Sequence, residues 1–213
     1  MARELIINRN KVSLNGVLCP ITIAHELSDK GVVFYKSFIT VERNSGVIDY
    51  VPVIIPEDLL EDDYSGLYVH VTGCIQSYNM HTPEKTSLIV YVYVNHLSIV
   101  DTSESYVNNV ELEGYVCNKP KLRNTSKTGR VISDIMLANN RPYYGCDYIP
   151  CICWGEDAEK IVYLGTGAHV KFTGRFQSRE YRKYINETEY DMKTTYEVSV
   201  KEMQYLGGHR DRT

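Results

Sequence analysis

The sequence predicts an all-β protein made of two similar barrels, and three observations carry that reading. A motif pattern recurs along the chain at a spacing near one hundred residues. Apolar and polar residues alternate over short runs bounded by turn-forming residues. One short stretch per copy is the only place for a helix.

The repeat comes first, because a missed repeat misassigns the whole fold. Asn10-Lys-Val-Ser-Leu-Asn-Gly-Val-Leu-Cys19 lies over Asn108-Asn-Val-Glu-Leu-Glu-Gly-Tyr-Val-Cys117 at an offset of 98. Asp49-Tyr-Val-Pro-Val-Ile-Ile55 lies over Asp147-Tyr-Ile-Pro-Cys-Ile-Cys153 at the same offset. Val71-Thr-Gly-Cys-Ile-Gln-Ser77 matches Phe172-Thr-Gly-Arg-Phe-Gln-Ser178 at 101, and Val92, Val94 and Leu97 match Val198, Val200 and Met203 at 106. Loop insertions account for such drift. The expected domains are residues 1–103 and 104–213, divided at the polar run Asp101-Thr-Ser-Glu-Ser105.

Within the second copy, Val110, Leu112 and Val116 alternate with their neighbours, as do Val131, Ser133, Ile135 and Leu137, which is the period of strands. Tyr148-Ile-Pro-Cys-Ile-Cys-Trp154 forms a third strand, placing Tyr148, Pro150, Ile152 and Trp154 on one face and Ile149, Cys151 and Cys153 on the other. Residues 156–164 carry acids at the front, then Ala158, Ile161 and Val162, and Gly165 follows, which fits a short helix. Strands over 168–176 and 195–206, joined by a polar hairpin, complete the copy. Three strands, a helix and two strands suit the OB-fold, a five-stranded Greek-key barrel whose strand 2–3 face and 1–2 and 4–5 loops bind oligonucleotides. The expected fold is therefore two tandem OB-folds, each with a short helix between strands 3 and 4.

Composition narrows the function. Hydrophobic residues make up 43% of 213, enough for a core, and no run of 18 apolar residues forms a membrane helix. The start MARELIINRNK lacks the apolar core of a secretion signal. The expected setting is the cytosol, with no membrane partner and the six cysteines reduced. Cys151 and Cys153 have one residue between them, short of zinc-ligand spacing, so no metal and no cofactor are expected. The histidines show no ligand spacing, and Gly165-Thr-Gly167 lacks a dinucleotide fingerprint, so an enzyme is not expected.

The net charge of −4 hides an asymmetry: residues 1–105 carry 7 Lys and Arg against 13 Asp and Glu, and residues 106–213 carry 16 against 14. The cations of the second copy gather in two stretches. Lys119, Lys121, Arg123, Lys127 and Arg130 lie in the 1–2 connection, and Arg179, Arg182 and Lys183 in the 4–5 hairpin.

The second copy resembles the bacterial single-stranded DNA-binding proteins. The resemblance rests on Asn109-Val-Glu-Leu-Glu-Gly114, Lys119-Pro-Lys-Leu-Arg123, Thr128-Gly-Arg-Val131, Leu137-Ala-Asn-Asn-Arg-Pro142, Asp147 to Gly155 and Gly174-Arg-Phe-Gln-Ser-Arg179. The first copy is similar in weaker form, and the pair resembles the branch in which one chain carries two OB domains and a homodimer supplies four. The resemblance implies sequence-independent binding of single-stranded DNA in replication, recombination and repair. It implies stacking of bases on Tyr143, Tyr148, Trp154 and Tyr181, with backbone contacts near Arg123, Arg175 and Arg179. The physics agrees, since every base offers a π-face and aromatic platforms hold strands without reading them. Lys121, Lys127, Arg130, Arg182 and Lys183 join as phosphate-binding candidates by their clustering. RNA stays open as a ligand, because stacking does not read the 2′-OH.

In the first copy Pro56 stands for Trp154 and Met80 for Tyr181, while Tyr50 repeats Tyr148. That acidic copy is expected to bind strands weakly or not at all and to complete the assembly. The family's linker and acidic tail have no counterpart in the sequence, so no tail-mediated recruitment of repair proteins is expected. The rival reading is an OB-fold protein-interaction module, a primosomal accessory scaffold with weak nucleic-acid binding.

Overall fold

Alternation of buried and exposed residues runs along nearly every strand of the computed structural model, which describes residues 9–208 apart from 28–30, 103–105, 126–127, 143–144, 185 and 187–188. Among the described residues the first half contains β1 (Asn10–Leu18), β2 (Thr22–Leu27), β3 (Val32–Glu42), β4 (Ile48–Pro56), a 3-10 turn at Glu57–Leu59, β5 (Tyr68–His81) and β6 (Thr86–Ile99). The second half contains β7 (Asn108–Val116), β8 (Leu122–Asn124), β9 (Val131–Asn140), β10 (Cys146–Trp154), α1 (Gly155–Leu164), β11 (Ala168–Tyr184) and β12 (Tyr190–Gly208).

Each half closes on itself. β1 pairs with β5 and β3, β3 with β4, β4 with β6 in parallel, and β6 with β5. The second half repeats the circuit through β7, β9, β10, β12 and β11. These are the two five-stranded OB barrels. Closure requires β7 to run close against β9: a Cβ on Gly114 would sit 2.4 Å from the Ala138 carbonyl oxygen, and one on its repeat mate Gly16 2.3 Å from that of Thr40. Gly114→Ala is expected to destabilise the protein by about 1–3 kcal/mol through this backbone clash. An unchanged urea midpoint would show that the strand moves aside freely.

Three details differ from the sequence expectation. The 1–2 connections hold short edge strands, β2 against β3 and β8 against β9. The hairpin between the last two strands of the second half is a long ribbon, paired from Ala168 to Tyr184 with register shifts after His169 and after Thr173. Finally, only the second half has the expected helix. In α1 the buried Ala158, Ile161 and Leu164 close one end of the core, and Lys160 reaches both Glu156 and Asp157. The matching stretch of the first half puts Glu57 against Glu61 and Asp58 against Asp62, like charges four apart that disfavour a helix. Asp62 and Asp63 side chains instead accept the N–H of Asp63 and Ser65, holding turns.

The core of the second half includes Val110, Leu112, Leu137, Ile149, Cys151, Cys153, Phe172, Phe176 and Val198. Burial pushes the Cys151 thiol well above its usual range and that of Cys153 up to about 12. In mildly alkaline buffer iodoacetamide is therefore expected to label the exposed Cys117 while Cys151 and Cys153 react only after denaturation, as peptide mass mapping would show. Among the described residues no group of three or more His, Cys, Asp or Glu is arranged to hold a metal, and no helix is long and apolar enough to cross a membrane.

The halves join into one 12-stranded sheet through antiparallel pairing of β1 with β7. Val12 faces Val110, its own repeat mate, so the joint has a local two-fold character. Two buried carboxylates brace it. Asp147 accepts from Arg141 Nε and Nη2 at 2.8 and 2.6 Å and, across the joint, from the Ser77 N–H at 2.6 Å. Asp49 accepts from Arg43 Nε and Nη2 at 2.6 and 2.5 Å and from the Ser178 N–H at 2.9 Å.

Candidate nucleic-acid interface

Trp154 ends β10 with extended backbone and serves as N-cap residue of α1, where Gly155 at φ +52° turns the chain. Its ring is half-buried, and the indole N–H donates to Ser199 Oγ on β12 at 3.1 Å. The orientation of the ring is thereby fixed and its polar atom satisfied.

The brace of Asp49 and Ser178 brings the first half up to this ring. An open cleft of about 620 Å³ is lined by Trp154, Arg175, Arg179 and Tyr196 from one half and by Phe38, Ile48 and Tyr50, among others, from the other. Tyr50 is 51% exposed, and its backbone N–H donates to Ser178 Oγ at 3.2 Å. A neighbouring hollow of about 730 Å³ shares Trp154 and Arg175 and adds Arg130 and Lys201. Cations thus line both hollows beside the indole, with Glu156, Glu159 and Glu180 also on its rim. Phe38, Val47 and Ile48 were missed in the sequence. For Phe38 and Ile48 the signal was apolar residues on both faces of β3 and β4, which a strand with one solvated face would lack; Val47 lies in the turn before β4.

The candidate cations fall into two groups. Arg123 holds Asp134 with both Nε and Nη2, and Arg179 holds the buried Glu197 with Nε and Nη2 at 3.1 and 3.0 Å. The hydrogen-bonded carboxylates push both guanidiniums above their usual range. Their charge is largely matched before any ligand arrives. Arg175 donates only to Gln177 Oε1, at 3.1 Å; its Nε is buried without an acceptor, and it makes no ion pair among the described residues. Lys121, Arg130 and Lys183 are exposed and likewise without an ion pair among the described residues, and Arg182 lies 4.6 Å over the Tyr190 ring. Lys127 lies outside the described residues.

Of the rings, Tyr148 and Tyr181 are exposed at 44% and 41%, and Tyr143 lies outside the described residues. Tyr148 and Trp154 share β10, but six residues of strand separate them by roughly 20 Å. Tyr148 sits at the end that abuts the first half, its N–H donating to Ser77 Oγ at 2.8 Å. Tyr181 stands far along the ribbon opposite Lys193. No ring contact joins Trp154, Tyr148 and Tyr181 among the described residues. Ile152, expected on the open face, is only 3% exposed; it lies in register between Asp134 and Ser199, where the Arg123 and Arg179 ion pairs are close enough to feel each other's charge.

Two welded barrels with a half-open tryptophan among guanidiniums define a tandem OB-fold protein with an aromatic, basic cleft. Residues 107–206 match the single-strand binding protein family. The chain is 31% identical over 93 residues to a single-stranded DNA-binding protein of Clostridium tetani, covering 38% of this chain and 64% of that protein. It is 31% identical over 112 residues to single-stranded DNA-binding protein 3 of Clostridium acetobutylicum, covering 47% of this chain and 71% of that one. The chain belongs to the single-strand binding protein family. Wild-type single-stranded DNA binding protein from Thermus aquaticus shares the fold across 97% of both chains, with a TM-score of 0.72 at 18% identity.

Proposed function

We propose that the protein binds single-stranded DNA without reading its sequence, stacking bases on Trp154 and drawing phosphates to Arg130, Arg175 and the exposed lysines. The observation that carries this reading is Trp154, half-buried in a cleft that also holds Arg175, a guanidinium that makes no ion pair among the described residues. Its relatives are named for single-stranded DNA binding, which supports the same ligand. Tyr148 and Tyr181 extend the path along β10 and the ribbon, and Tyr143 and Lys127 belong to it by sequence. Phe38 and Tyr50 form the far lip, so the first half contributes contact area even where it lacks charge. Residues 1–103 and 104–213 are the two domains in this reading, a homodimer would supply four barrels, and the setting is replication, recombination or repair in a bacterial cytoplasm.

Titration with oligo-dT is expected to quench tryptophan fluorescence, since Trp154 is the only indole in the chain. With about four unpaired cations engaged, log affinity should fall against log salt with a slope of roughly −3. Absence of quenching, or binding insensitive to salt, would end this proposal.

A further inference from the structure

The first half has its own version of the Trp154 groove, and its chemistry is reversed. In the second half Trp154 faces Ile132 in register; in the first, Pro56 faces Phe34. The positions are structural mates. Around Trp154 stand Arg130, Arg175, Arg179 and Lys201. Their mates around Pro56, in the same registers, are Val32, Cys74, Tyr78 and Asn95. Every cation has become neutral.

What remains is aromatic with an acidic rim. A cavity of about 420 Å³ is lined by Phe34, Pro56, Tyr93, Glu57 and Asp58, among others, and among the described residues no lysine or arginine lines it. The Phe34 and Tyr93 rings lie 6.3 Å apart at 49°, and His25 stacks on the other side of Phe34 at 4.7 Å and 17°. The Asp58 charge reaches the Tyr93 hydroxyl, and Glu57 lines the groove while accepting from Tyr35 Oη at 3.5 Å. Lys36, on the same face of β3 as Phe34, is outside the lining. Glu57 and Asp58 are exposed.

A phosphate backbone is repelled by such a site. A guanidinium is suited to it, since it stacks on ring faces and pairs with carboxylates. We propose that this groove docks a basic, extended polypeptide segment of a partner protein, with an arginine side chain stacking against the Phe34 and Tyr93 pair beside Glu57 and Asp58. The inference does not depend on what the Trp154 cleft binds, because the two grooves share no lining residue.

The test uses the full chain and an eight-residue peptide of alternating glycine and arginine carrying a neutral fluorophore, followed by anisotropy in moderate salt. Wild type is expected to bind it, and to bind the citrulline counterpart at least about 10-fold more weakly, because the planar group remains while the charge is lost. Glu57→Gln with Asp58→Asn, both exposed, should weaken arginine-peptide binding at least about 10-fold, and Phe34→Ala should do likewise. Trp154→Ala should leave peptide binding within about 2-fold of wild type, and saturating oligo-dT should not displace the peptide. Equal binding of both peptides, or unaltered binding by the acid double variant, would overturn the proposal. So would loss of oligo-dT affinity in that double variant, since it would assign the groove to nucleic acid.

Discussion

Trp154→Ala is expected to weaken oligo-dT binding by between about 5-fold and about 150-fold, the range of ~1–3 kcal/mol for one stacked base. The ring is only half-buried, and its one hydrogen bond goes to Ser199 Oγ, whose lost partner is replaceable by water. The folding cost should therefore be modest, and far-UV circular dichroism with a thermal melt checks it. Trp154→Phe is the sharper variant: it keeps a π-face and removes the N–H. Affinity is expected to fall in the order wild type, phenylalanine, alanine. A folded alanine variant that binds as tightly as wild type would remove Trp154 from the interface and return the indole to a packing role. Direct anisotropy with labelled oligo-dT is the proper readout, since these variants have no tryptophan to quench.

Asp49→Ala should destabilise the protein by about 3 kcal/mol, because removing one member of a buried ion pair strands the other. Asp49 is fully buried and its partner Arg43 is 21% exposed, so little water reaches the orphaned guanidinium. The Ser178 N–H loses its acceptor as well. Asp147→Ala removes the mate of this brace, yet Arg141 is 37% exposed and can be resolvated, so a smaller loss of about 2 kcal/mol is expected. Urea midpoints of the two variants measure the difference. Asp49→Ala also carries a consequence for binding, since the Arg43, Tyr50 and Ser178 groups it holds line the Trp154 cleft. Oligo-dT affinity should fall more in Asp49→Ala than in Asp147→Ala. Equal stability losses would show that exposure of the arginine is immaterial, and equal affinity losses that the first half's lip contributes nothing.

Much of the fold was legible because it is periodic. The offset of 98 that aligned Asn10 with Asn108 reappears as paired side chains: Asn10 exchanges hydrogen bonds with the Ile75 backbone, and Asn108 with that of Phe176. Alternation over residues 108–116 and 131–140 marked β7 and β9 because barrel strands bury one face. The repeat predicts a helix in the first half as well, yet that helix is cut to a 3-10 turn, because the like charges of Glu57 with Glu61 and of Asp58 with Asp62 decide the local balance. β2 and β8 escaped notice for another reason. Edge strands this short are held by one neighbour and carry little pattern of their own.

The site was legible as a set of residue types and not as an arrangement. Trp154 stood out as the single indole, and Arg175 entered through resemblance. Nothing in the chain near Arg123 or Arg179 shows that Asp134 and Glu197 will take their charge, since the partners are 11 and 18 residues away. Nor does the sequence near Trp154 point to Tyr50, about a hundred positions earlier.

The sequence alone determined two copies of an all-β barrel, which faces of their strands turn inward, and which copy is acidic, because those properties are local and repeat with the pleat. Only the tertiary structure decided that β1 joins β7, that the joint carries Tyr50 and Phe38 to the rim of the Trp154 cleft, and that two of the candidate arginines are already paired. Barrel closure fixes such neighbours by the register of distant strands, and no local period encodes register between them.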